Sequence, residues 1–89
     1  MVTADQIVTM IRADMPDADV RVNDLTGGGD HFDVTVISTH FAGRSLVQQH
    51  QLVYKSVQQA MSTEAIHALG LKTYTPEEWS ALSQSASVT

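Results

Sequence analysis

The sequence predicts an α+β domain, a small three-stranded sheet with helices packed on one face in the order helix, strand, strand, helix, strand, helix. Three observations carry that prediction. Ala4, Ile7, Val8, Ile11 and Met15 recur at helical spacing; two valine-rich alternating runs, DVRVNDL and HFDVTVIS, flank TGGGD; and Thr3, Ser45 and Thr75 each precede a Gln or Glu by three residues.

The elements follow in order. Thr3 and Gln6 form a capping box that opens the first helix, and Pro16, which cannot continue it, marks its end. The two alternating runs read as an antiparallel hairpin whose glycine-rich connection makes a loose tip. HFAGR breaks the strand pattern. Ser45 and Gln48 then cap a second helix reaching about Met61, with Leu46, Val53, Val57 and Ala60 expected on its buried side. AIHALGLKTY, bounded by STE and TP, reads as a third strand, with Ile66 and Ala68 on one face and His67, Leu69 and Leu71 on the other. In TYTPEEW, Thr75 suits the N-cap, Pro76 the first helical position and Glu78 the box, while Tyr74 and Trp79 can form a hydrophobic staple. The expected organisation is a single domain over residues 1–80 with a flexible, small and polar tail over 81–89.

Composition narrows the function classes. A chain of 89 residues, 43% hydrophobic, supports one domain that buries roughly 60–65% of its unfolded surface. A net charge of -5 with five Lys and Arg leaves little basic surface for phosphates or an anionic membrane. There is no cysteine, so neither a disulfide nor a thiolate is available. The N-terminal residues lack a basic segment followed by an apolar one, and no apolar run approaches the ~18 residues of a membrane span. A soluble, cytoplasmic protein is expected.

The residues alone point away from catalysis. His31, His40, His50 and His67 show no metal-binding spacing, and HExxH and acidic calcium loops are missing. His50 falls on the apolar side of its helix, where a half-buried imidazole bonded to backbone or to Tyr54 explains it. His40, beside Phe41, suits a turn cap. Ser45 has a capping role, and nothing supplies His50 with an orienting acid or Ser45 with an oxyanion hole. Glu77 and Glu78 favour the positive end of their helix. Asp30 would repel a phosphate from GGGD, so that run reads as a hairpin tip. Taken by itself, His67 is a core-edge histidine bonded to a carbonyl.

Three separated stretches change that weighting. HF at 31–32, FAGRSLVQQHQLVY at 41–54 and IHALGLKTYTPEEW at 66–79 carry F-x-G-x-S, H-x-x-V-Y and H-A-L…T-P-x-x-W in order, including Gly43, Ser45, His50, Tyr54, Thr75, Pro76 and Trp79. In these features the chain resembles the BolA family across nearly its whole length. The resemblance implies a class II KH-like fold and a non-enzymatic role in iron–sulfur cluster handling, iron homeostasis and stress response. It further implies a [2Fe–2S] cluster shared with a monothiol glutaredoxin, with His67 of the H-A-L strand and His31 after the hairpin loop as the chain's two ligands.

The arithmetic of that implication is consistent. A [2Fe–2S] cluster takes four ligands, and histidine can replace cysteine at one iron. This chain offers two, so a glutaredoxin cysteine and a glutathione thiol would complete the set. Imidazole ligates only when neutral, so cluster retention is expected to weaken as pH falls through about 6.5. Isolated, the chain is expected to be a monomer or weak homodimer without cofactor. The rival reading is a DNA-binding transcriptional regulator, with Arg44, Lys55 and Lys72 as a modest basic patch beside the second helix and third strand. The GxxG loop with which KH domains grip nucleic acid is missing, and Gln49 stands where the family often has a basic residue. Weak, salt-sensitive DNA binding is expected. A third reading, an adaptor that binds glutaredoxin without metal, would survive His67→Ala unchanged.

Overall fold

The computed structural model of the chain describes residues 3–28, 31–62 and 68–87. Helix α1, Ala4–Asp14, opens on the expected box: the Thr3 hydroxyl accepts from the Gln6 N–H at 3.1 Å, and Gln6 Oε1 accepts from the Thr3 N–H at 2.9 Å. It ends at the C-cap Met15, immediately before Pro16. Strands β1, Asp19–Asp24, and β2, His31–Ile37, pair antiparallel from Asp19↔Ile37 to Asp24↔Phe32. At the hairpin tip, Asp24 Oδ1 accepts from the N–H groups of Thr26 and Gly27, so the turn begins in a defined way; Gly29 and Asp30 lie outside the described residues.

A 3-10 turn at Thr39–Phe41 leads to α2, Leu46–Ser62. The Ser45 hydroxyl accepts from the Gln48 N–H at 3.2 Å while Gln48 Oε1 accepts from the Ser45 N–H at 3.0 Å, completing the second box. Strand β3, Ala68–Tyr74, runs parallel to β2 in register His31↔Ala68 through Ile37↔Tyr74, giving the sheet order β1-β2-β3. Helix α3, Pro76–Ser87, opens on the third box, with the Thr75 hydroxyl accepting from the Glu78 N–H and Glu78 Oε1 accepting from the Thr75 N–H.

The core lies between the sheet and α1 and α2. Ile7, Ile11, Phe32, Val34, Val36, Phe41, Val53 and Val57 are essentially fully buried, and Val20, Val22, Leu69 and Leu71 pack against them. Leu69 and Leu71 share the core face, as their spacing requires. Trp79 of α3 turns to the other face. Its ring sits 5.4 Å from that of Tyr74, the expected staple, and the guanidinium carbon of Arg21 lies 4.8 Å from its ring centroid. Arg21 alternates with the core-facing Val20 and Val22, so it projects from the sheet face that α1 and α2 do not cover.

Two expectations need correction. Leu46 is 61% exposed rather than buried, because it is the first residue of α2 and the core-facing place one turn later belongs to Gln49. The presumed tail is helical to Ser87: a capped start and a run of Ala, Leu, Gln and Ser without Gly or Pro let α3 continue past residue 80. The side chain of Ala60, and Ile66 and His67 entirely, lie outside the described residues.

Candidate functional site

His31 is the first residue of β2, half-buried, on the sheet face opposite Phe32 and Val34. Its carbonyl accepts from the Leu25 N–H at 2.9 Å, so the backbone beside the hairpin tip is tied into the ladder. Its register partner is Ala68, the residue that follows His67 in the chain. Further along this face, Gly70 opposes Asp33, and a Cβ at position 70 would lie 2.9 Å from Asp33 Oδ1; glycine leaves the carboxylate its room. Among the described residues, no group of three or more His, Cys, Asp or Glu is placed to hold a metal ion.

The F-x-G-x-S segment forms a rigid corner. Phe41 is fully buried, and Gly43 has φ +73°, a left-handed conformation that side chains disfavour. Gly43→Ala meets open space but the same backbone angle, so it is expected to lower stability by about 1 kcal/mol, read by urea unfolding. Gln49, 8% exposed, holds this corner: its Nε2 donates to the carbonyls of Phe41 at 3.3 Å and Arg44 at 3.0 Å, and its Oε1 accepts from the Thr73 hydroxyl at 2.6 Å. A side chain so engaged is structural and does not face a phosphate. Reading only apolar residues at helical spacing misses it, although 49, 53 and 57 are one stripe.

A second polar centre joins the α1–β1 connection to the 3-10 turn. Asp17 Oδ2 accepts from the Thr39 N–H at 2.9 Å and the Thr39 hydroxyl at 2.7 Å, and Oδ1 accepts from the Ser38 hydroxyl at 3.0 Å. His40 Nδ1 lies 2.9 Å from Asp17 Oδ1; an ionised carboxylate only accepts, so the imidazole donates from Nδ1. Partial burial raises the Asp17 pKa, but the bonds from the Thr39 side chain and backbone, from Ser38 and from His40 outweigh it and hold the carboxyl well below its usual range. His40 does sit in a turn, with Ser38 as its N-cap.

The remaining candidates divide. Arg44 and Lys55 line one cleft together with His40, while Lys72 lines a separate groove with Leu46, His50, Leu71, Thr73 and Tyr74. The three cations therefore do not make one patch. His50 is half-buried, as expected, but among the described residues nothing hydrogen-bonds its ring; Tyr54 is 37% exposed. Thr75, Pro76 and Trp79 perform the capping and staple roles given above.

The element order, with a histidine at the start of β2 and a glycine corner before α2, is that of a small α+β domain. The family profile described as BolA-like protein matches residues 9–78. "Protein BOLA2" of Arabidopsis thaliana is 35% identical over 86 residues, covering 94% of this chain and 90% of that protein. The "DNA-binding transcriptional regulator BolA" of Escherichia coli K12 is 36% identical over 66 residues, 74% of this chain, and the chain spans only 62% of its length. A bol-like protein from Babesia bovis has a similar structure, with a TM-score of 0.81 at 28% identity, covering 93% of this chain and 95% of that one. The chain belongs to the BolA-like protein family.

Proposed function

We propose that this protein is a non-enzymatic iron–sulfur partner in the cytoplasm, which shares a bridging [2Fe–2S] cluster with a monothiol glutaredoxin through His31 and His67. The observation that carries the reading is the parallel register that sets His31 opposite Ala68, one peptide bond from His67. The donor set fits: two imidazoles and no thiol on this chain leave half the ligands to a partner cysteine and glutathione. When bound, the cluster supplies one-electron chemistry and transferable iron and sulfide. The chain's own part is to present neutral imidazoles at one end of its sheet. Among the described residues no helix is long and apolar enough to cross a membrane.

Mixing the chain with a cluster-loaded monothiol glutaredoxin, and recording visible absorption and circular dichroism, tests the proposal. A changed spectrum is expected with the unmodified chain. His67→Ala should abolish the change and His31→Ala should at least halve it. An unaltered glutaredoxin spectrum, or one altered equally by His67→Ala, would remove the reading.

The second reading, a DNA-binding regulator, is favoured by the name of the Escherichia coli relative. Against it, Lys72 is separated from Arg44 and Lys55, so phosphate contacts in one footprint are few and DNA binding should be weak at physiological salt. Submicromolar binding with a steep salt dependence would reverse the preference.

A further inference from the structure

At the end of the sheet away from His31, with β2 spanning roughly 20 Å between them, a cleft of about 270 Å³ opens between α1, the 3-10 turn and α2. Asp14, Met15, His40, Arg44, Leu52 and Lys55 line it. Two of the chain's five cations thus meet in one concavity of a protein whose net charge is -5. Arg44 Nε donates to the His40 carbonyl at 2.9 Å, which orients the guanidinium and leaves both Nη groups available. Among the described residues neither Arg44 nor Lys55 forms an ion pair.

The cleft also holds a group of opposite sign. Asp14 ends α1, whose last carbonyls carry the negative end of the helix dipole, and its Oδ2 accepts only a neutral hydroxyl, that of Ser56 at 2.8 Å. Leu52, which is half-buried, supplies apolar surface to the cleft, whereas Met15 is only 2% exposed. His40 is held through Nδ1 by Asp17, which keeps Nε2 as its second polar atom.

We infer that this cleft binds a free α-amino acid with an apolar side chain. The carboxylate meets Arg44 and Lys55, the ammonium meets Asp14 and the carbonyl end of α1, and the side chain lies against Leu52. A simple anion would be drawn to Arg44 and Lys55 but repelled by Asp14. A nucleotide is too large, since the cleft lies just below the ~300–1,000 Å³ typical of small-molecule sites.

The test is a titration of the ¹⁵N-labelled chain with L-leucine and with molecules that keep one pole: 4-methylpentanoate, which lacks the ammonium, 3-methylbutylamine, which lacks the carboxylate, and inorganic phosphate. L-leucine should shift the amides of His40, Arg44, Leu52 and Lys55 saturably, and each comparison molecule should bind at least tenfold more weakly. Arg44→Gln should weaken L-leucine about tenfold with the spectrum still dispersed. Asp14→Asn should weaken L-leucine without weakening 4-methylpentanoate. Equal binding of 4-methylpentanoate or phosphate, tighter L-leucine binding by Asp14→Asn, or no saturable shift with L-leucine would overturn the inference.

Discussion

Gln49→Leu is expected to lower the stability of the domain by about 2–4 kcal/mol, even though leucine matches glutamine in size and favours both helix and core. The cause is what the substitution leaves behind. The Thr73 hydroxyl loses its acceptor inside the core, and the carbonyls of Phe41 and Arg44 lose their donor. At present no buried side-chain polar atom among the described residues lacks a partner, so each would be a new deficit. Urea unfolding should show a lower midpoint with an unchanged slope. Adding Thr73→Val should recover part of the loss, because removing both partners costs less than orphaning one. A midpoint within error of the parent, or no recovery in the double variant, would show that the corner is held by other contacts.

Asp17→Asn should cost about 1–2 kcal/mol near neutral pH, less than its four bonds suggest because the side chain is still 35% exposed and partly screened by solvent. An amide in its place turns an NH2 group toward donors. The pH dependence carries the clearer signature. The folded Asp17 pKa is depressed, so the unfolded chain binds the proton more readily and the carboxylate's stabilisation is complete above the unfolded value of about 4. It is lost progressively as pH falls below that value toward the folded one. Thermal melts of the two proteins should therefore differ most at pH 7 and converge toward pH 2. Parallel curves across that range would mean that the bonds to Asp17 do not depend on its charge.

What the sequence made legible is local. Three capping boxes could be read because each is a three-residue relation between a hydroxyl and a Gln or Glu, and all three close in the structure. The hairpin was readable from alternation, and the staple of Tyr74 on Trp79 from its spacing about a helix start. Less legible were the features made by distant segments. Asp17 meets Thr39 and His40 only because the Asp19↔Ile37 pairing brings their flanking residues together. Gln49 is polar at a position that Val53 and Val57 mark as buried, so apolar spacing alone does not reveal it, and Leu46 precedes a core that begins one turn later. Which sheet face Trp79 takes has no sequence signal, since Arg21 as its partner follows from the path of α3. For the proposed site the sequence supplied the residues, and the structure adds the register of His31 with Ala68.

The parallel pairing of β2 with β3 has one more consequence. Two parallel strands begin at the same end of a sheet, and here an entire helix separates them in the chain. The unfolded chain holds no such juxtaposition. A ligand gripping both strand origins would therefore recognise only the folded molecule, and by mass action it would act as a fastener for the whole domain, raising its melting temperature with every increase in free ligand.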